Sequence, residues 1–299
     1  MRATELLARR PVSSYVLLVF LVAWGAVVAV VGPASLAAGE TPSARHLLPV
    51  FAAMLLGPAL AGLLLTALTA GRPGVVALWD RQRRWRVPLR WYAVAVLTTP
   101  ALLLCTLGPL SVASPAFVPA AVASDDVLSV LGPALAVGLF AGLFEEVGWT
   151  GFALPTLRAR YGLLTAGVAL GVVWGAWHGL ADYWGNAVLF GDLWTVRIAL
   201  WISALTAYRV LIAWVYEHTR SLLLAQVMHA SFTGSQGALV PDLSPAGYLG
   251  WYALFAVALW AVVLVVAWSR RTRGSRGALG PISRAGTADA ADREERVDR

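Results

Sequence analysis

Charge is scarce in this chain of 299 residues, of which only 13% are Asp, Glu, Lys or Arg. A soluble domain carries about 25%. With 59% hydrophobic residues and a mean hydropathy of +0.71, that scarcity excludes an ordinary soluble domain and points to a membrane protein. Lysine is absent, so all 23 basic residues are arginine, which is read as codon usage rather than mechanism. The single cysteine, Cys105, excludes an internal disulfide framework and any cysteine-based zinc site. The zinc motif His-Glu-x-x-His is missing as well. No internal repeat is present, and one domain is enough to explain the length. The net charge of +7 does not call for nucleic acid, because basic residues crowd the loops of membrane proteins.

What is present is a series of apolar runs. Arg2, Arg9 and Arg10 precede the first, Tyr15 to Val31. Ser35-Leu36-Ala37 mimics a signal-peptidase site, but the run exceeds the usual ~7–15-residue signal core and is read as an uncleaved first span. Further runs at 47–70, 91–110, 128–157, 163–181, 197–216, 221–240 and 248–268 give about eight spans. The expected fold is an all-α polytopic transmembrane helix bundle. Between the second and third runs, Arg81, Arg83, Arg84 and Arg86 accompany Val75, Val76, Leu78, Trp79 and Trp85, the composition of a short amphipathic helix on a membrane surface. The organisation is read as N-terminal helices with a basic loop (1–127), a core (128–240), a last helix (241–268) and a disordered basic tail (269–299).

The arginines also give an orientation. With the N-terminus inside, the loop at Arg81–Arg90, Arg158 with Arg160, Arg220 and the tail all fall on the cytoplasmic side. The loops holding Asp125, Asp182 and Asp242 fall outside. The expectation is a multi-pass protein of the cell (plasma) membrane with both termini cytoplasmic, in contact with the lipid bilayer and with no nucleic-acid partner.

The stretch that organises the rest is Phe144-Glu145-Glu146-Val147-Gly148-Trp149-Thr150-Gly151. It places two carboxylates in an otherwise apolar segment, where a single charged side chain already costs at least ~2.5 kcal/mol on insertion scales. Adjacent carboxylates also repel, so one is expected to hold a proton or find a cation. The other polar residues inside spans are few: His178, Arg209 and His229, with Thr150, Gln226, Ser231 and Thr233 beside them. Two histidines and two carboxylates on three helices point to catalysis rather than to satisfied core residues. A rise of ~1.5 Å per residue puts Glu145 roughly 18 Å, His178 about 22 Å and His229 about 12 Å from the cytoplasmic ends of their helices. They can meet if the fourth helix runs on to about Leu157, and cannot if it ends at Trp149.

These residues resemble the three motifs of the CPBP family. It comprises the CAAX prenyl endopeptidase and the bacteriocin-processing, lysostaphin-resistance-like membrane proteases, also called Abi proteins. The likeness rests on Glu145-Glu146-x-x-Trp149-x-Gly151, Trp174-x-x-x-His178 and His229-Ala230-Ser231-Phe232, and covers about 132–235. It implies a membrane-embedded endopeptidase whose site opens to the cytoplasm, acting on a peptide or protein substrate. Glu145 would act as general base on a water oriented by His178, and His229 with its i+4 partner would stabilise the oxyanion. Glu145, His178 and His229 are also the candidates to hold a divalent metal ion such as zinc, and the sequence leaves open whether the water is metal-bound.

Two positions depart from the family pattern. Arg usually stands four residues after the second Glu, where this chain has Thr150. Asn usually stands four residues after the last His, where it has Thr233. Thr233 can still donate one hydrogen bond, whereas Thr150 cannot neutralise Glu146. A buried carboxylate without its cation is expected to find another partner, and Arg209, about 13 Å up the sixth helix, is the candidate. The departures keep open a catalytically inactive member acting as a bacteriocin-immunity or peptide-binding membrane protein. Glu, His and Arg inside spans also mark ion routes, but no internal symmetry of a transporter is visible.

Overall fold

The computed structural model describes residues 10–38 and 43–278, with side chains as far as 269. Arg2, Arg9 and residues 279–299 of the tail expected at 269–299 lie outside the described residues, and 269–278 continue the last helix. Every regular element among those described is helical. In chain order they are α1 (Pro11–Val31), α2 (Pro33–Ala38), α3 (Ala44–Gln82), α4 (Leu89–Ala113), α5 (Ala120–Ala123), α6 (Val127–Gly148), a π-helical turn (Trp149–Ala153) and α7 (Leu154–Tyr161). Then come α8 (Leu163–Trp177), α9 (Gly179–Phe190), α10 (Trp194–Thr219), α11 (Leu222–Leu239) and α12 (Pro245–Ala278). Residues up to Trp260 form one packed unit; Ala261 opens a second, whose described part is the end of α12.

Among the described residues, six helical stretches are long and apolar enough to cross a membrane: Pro11–Val31, Ala44–Gln82, Leu89–Ala113, Val127–Tyr161, Gly179–Thr219 and Pro245–Ser269. The chain is thus an all-α, multi-pass helix bundle, with six such stretches rather than about eight. The run at 163–181 falls short because its helix breaks at His178. There the His178 N–H reaches the Gly175 carbonyl, three residues back instead of four, and the chain starts α9 one residue later. Helix α8, at 15 residues, is ~22 Å long, short of the ~30 Å hydrocarbon core. The run at 221–240 forms α11, whose Gln226, His229, Ser231, Thr233, Ser235 and Gln236 make it too polar to count. Its N-terminus is fixed by Ser221, whose hydroxyl accepts from the Leu224 N–H, a side-chain N-cap.

The helix bearing the paired glutamates is the long one. It runs unbroken from Val127 to Tyr161, with the π-helical turn starting three residues after Glu146. Such turns widen the ladder by one residue and are frequent at functional sites.

Small residues set how closely the core helices approach, as in membrane bundles generally. Gly167, Gly171 and Gly175 form a four-residue stripe on α8 that lies against the backbone of Val210, Thr206 and Ile202 on α10. This contact puts Trp174 beside Arg209. On α6, Gly142 is tighter still: a Cβ there would stand 2.3 Å from the Gln226 carbonyl oxygen and 2.9 Å from the Ala230 nitrogen, both backbone. Gly142→Ala must therefore push α6 and α11 apart, and is expected to cost about 1–3 kcal/mol as overpacking. A purified variant that melts with wild type in detergent would show that the helices are less close.

Candidate active site

Glu145 and Glu146 leave α6 side by side and take different partners. Glu146 is fully buried and uses both oxygens. Its Oε2 accepts from Arg209 Nη1 at 2.7 Å and from the Thr150 hydroxyl one turn on. Its Oε1 meets His229 Nδ1 at 2.7 Å. The Arg209 cation favours the ionised carboxylate, and an ionised carboxylate only accepts, so His229 Nδ1 carries the hydrogen. Arg209 comes from the neighbouring helix α10, and the charge missing at position 150 is supplied from there. Its Nη1 is also 3.4 Å from Thr150 Oγ1. The guanidinium lies over the Trp174 ring at 4.1 Å, a cation–π contact in a dry environment.

Among the described residues Glu145 has one hydrogen-bond partner: Trp174 Nε1 donates to its Oε2 at 2.8 Å. Its other oxygen takes no hydrogen bond from them. His178, at the break between α8 and α9, has Nδ1 at 2.8 Å from the Trp174 carbonyl. A carbonyl only accepts, so Nδ1 carries the hydrogen and a neutral His178 keeps a lone pair on Nε2. His229 likewise commits Nδ1, to Glu146, and leaves Nε2. Trp174 therefore touches the whole set. It donates to Glu145, receives Arg209 on its face, offers its carbonyl to His178, and stands edge-on to His229 at 5.0 Å between ring centroids.

The residues that carry these atoms line one cavity of about 590 Å³. Glu145, His178, His229, Thr233 and Gln236 line it among apolar walls that include Met54, Val137, Trp174, Trp177, Trp201 and Phe232. Glu146, Thr150 and Arg209 are not in its lining; they stand behind Glu145 and His229. Thr233 makes no hydrogen bond to another described residue, and it also lines a second crevice of about 370 Å³ with Ser129, Pro133 and Gly237. It therefore sits where the two spaces meet.

The metal candidates do not converge. Among the described residues, no three His, Cys, Asp or Glu side chains could hold a metal ion, whereas zinc needs at least three protein ligands at about 2.0–2.2 Å from one point. As placed, Glu145, His178 and His229 do not fit a metal site.

Sequence reasoning missed several supports. Trp174 was legible only as part of a motif; a buried indole gives no charge signal. Tyr208 donates to the Met228 carbonyl at 2.7 Å and accepts from Thr99 at 3.1 Å, which pins α11 next to His229. Asp182, expected in an outside loop, is buried on α9 and accepts from Arg197 at 2.8 Å and from Trp194 at 3.0 Å.

Fold and site together define a multi-pass membrane helix bundle with a buried Glu–Arg–His cluster behind an apolar cavity. Comparison with known proteins adds the relatives. Residues 127–235 match the family described as type II CAAX prenyl endopeptidase Rce1-like. Over 101 residues the chain is 30% identical to the CAAX prenyl protease 2 of Methanococcus maripaludis. That alignment covers 32% of this chain and 37% of the relative, so the chain spans little more than a third of that protein's length. Both findings support the resemblance to the CPBP and CAAX protease family drawn from the motifs, and the family match covers the stretch from α6 into α11.

Proposed function

We propose that this chain is a membrane-embedded endopeptidase that hydrolyses a peptide bond with a water activated by Glu145. The observation that carries the reading is that Glu145 and His178, each with one acceptor not used by a described residue, line a single apolar cavity. A water donating one hydrogen to each turns its lone pair towards a carbonyl carbon held in the cavity. As the oxygen–carbon bond forms, the water proton passes to Glu145. The former carbonyl oxygen becomes an oxyanion, stabilised by Thr233 Oγ1–H and by His229 Nε2–H when the ring is imidazolium. Glu145 then returns its proton to the leaving nitrogen as the carbon–nitrogen bond breaks. Arg209 and Thr150 hold Glu146, and Glu146 holds the ring of His229. The matched family and the relative's name support a peptidase, and the apolar walls suit a peptide carrying a bulky apolar group beside the scissile bond.

The test is cleavage of such peptides by the purified full-length protein in vesicles, followed by mass spectrometry with and without a chelator. Cleavage is the expected result. Retained peptide binding without any cleavage would make the site a binding site in a catalytically inactive relative. Thr233→Val is expected to lower turnover about 10²-fold, the cost of one oxyanion donor, and Thr233→Asn to be tolerated or faster. If both variants turn over like wild type, Thr233 only packs.

A further inference from the structure

The basic segment between α3 and α4 belongs to no part of the reaction, yet it is more firmly built than a loop needs to be. Helix α3 is interrupted at Gly71, whose φ of 60° with ψ of −158° is open to glycine alone at no steric cost. The helix resumes through Pro73 to Gln82, and residues 83–88 follow without regular structure. On this stretch Trp79 is 52% exposed, Trp85 59% and Leu89 81%, interleaved with the exposed Arg83, Arg84, Arg86 and Arg90. No acidic side chain among the described residues pairs with any of these four arginines, whereas Arg158, Arg197, Arg209 and Arg220 each have a carboxylate partner. Two of the four instead lie over exposed indoles, Arg83 on Trp79 at 4.7 Å and Arg86 on Trp85 at 5.0 Å.

The backbone beneath these side chains is held from several helices at once. Ser221 donates to the Arg84 carbonyl, and Tyr92 donates to the Trp85 carbonyl at 2.7 Å. Arg81 Nη1 reaches the Tyr216 hydroxyl at 2.9 Å. Gln82 Nε2 donates to Gln226 Oε1 at 2.6 Å, and Gln226 in turn donates to the Leu143 carbonyl on α6 at 3.0 Å. Leu78 fills the space over Gly151 in the π-helical turn. The segment is thus tied to α10, α11, α6 and the turn after Glu146.

From this we infer that residues 79–90 form a binding site for the phosphate headgroups of anionic phospholipids, preorganised by the core and stabilising it when occupied. Unpaired guanidiniums supply the charge and the fork geometry that phosphate oxygens accept. The exposed tryptophans and Leu89 supply the interfacial anchor that a free phosphate could not use. Because the backbone is fixed before binding, little ordering cost opposes it. A ligand that binds only the folded state raises stability with the logarithm of its concentration over its dissociation constant.

The test uses full-length protein in an uncharged detergent, titrated separately with phosphatidylglycerol, phosphatidylcholine and inorganic phosphate while thermal unfolding is followed. A rise in the midpoint that climbs with the logarithm of lipid concentration is expected with phosphatidylglycerol only. Replacing Arg83, Arg84 and Arg86 together with Gln should weaken the apparent affinity about 100-fold, since each arginine near an anionic surface counts for roughly fivefold. Rising salt should erase the shift in wild type, a measurement that needs no variant. The inference is overturned if phosphatidylcholine or phosphate acts as well as phosphatidylglycerol, if the triple variant responds like wild type, or if the shift resists salt.

Discussion

Glu145→Gln is expected to fold like wild type and to lose cleavage by at least about 10³-fold, within the range that removal of a general base costs. The side chains are nearly the same size. The amide oxygen can accept from Trp174 Nε1 as the carboxylate does at 2.8 Å. What disappears is the second acceptor on the cavity, because an amide nitrogen donates and cannot take a proton from water. The melting midpoint in detergent should stay within a few degrees of wild type, which separates lost chemistry from lost structure. Turnover as fast as wild type would show that Glu145 is not the base and leave His178 Nε2 as the acceptor facing the water.

The second large effect is one of stability. Arg209→Met removes the cation from a fully buried carboxylate, and breaking a buried pair in this way typically costs about 3–5 kcal/mol. The Thr150 hydroxyl and His229 remain on Glu146 but cannot supply a fixed positive charge. Adding Glu146→Gln to Arg209→Met should recover much of the loss, because no orphaned charge is then left. The unfolding midpoints of the two single variants and the double variant make the cycle. Strictly additive losses would mean that the pair contributes nothing as a pair, despite its 2.7 Å contact. A Thr150→Arg change in the Arg209→Met background is a further check, since Thr150 Oγ1 already lies 3.4 Å from Arg209 Nη1 and a cation placed there would meet the same oxygen.

The Arg209–Glu146 contact was legible from sequence alone because a charge in an apolar helix poses a problem with few solutions. The motif carried a carboxylate with no cation, one arginine lay at matching depth, and the two are paired. The long fourth helix was legible for a similar reason: only a helix running past Trp149 brings Glu145 level with His178. The number of spans was not, because an apolar run reads the same whether lipid or protein covers it. Runs 163–181 and 221–240 looked like the others, yet α8 is too short and α11 too polar. Asp182 was misplaced because its partner Arg197 is 15 residues away, a separation without a periodic signature. The cage of Trp174 contacts and the grip of Tyr208 on α11 depend on tertiary packing, to which composition is blind.

The π-helical turn has a consequence for how the length of this chain can vary. The Leu154 N–H bonds to the Trp149 carbonyl, five residues back, so the helix carries one residue more than a regular ladder would hold. Each residue of an α-helix advances it by about 100°, but the wider π turn takes up the surplus in place and passes little of that rotation on to α7. Arg158 reaches Glu217 in the phase that this wide turn preserves. A chain lacking one residue between Trp149 and Ala153 could still form an unbroken helix, with every ladder bond regular. Its two halves would keep close to their present facing: with Glu146 on Arg209, Arg158 would still point towards Glu217. A one-residue deletion, which elsewhere in a helix dials one half out of register with the other, would here only straighten the ladder.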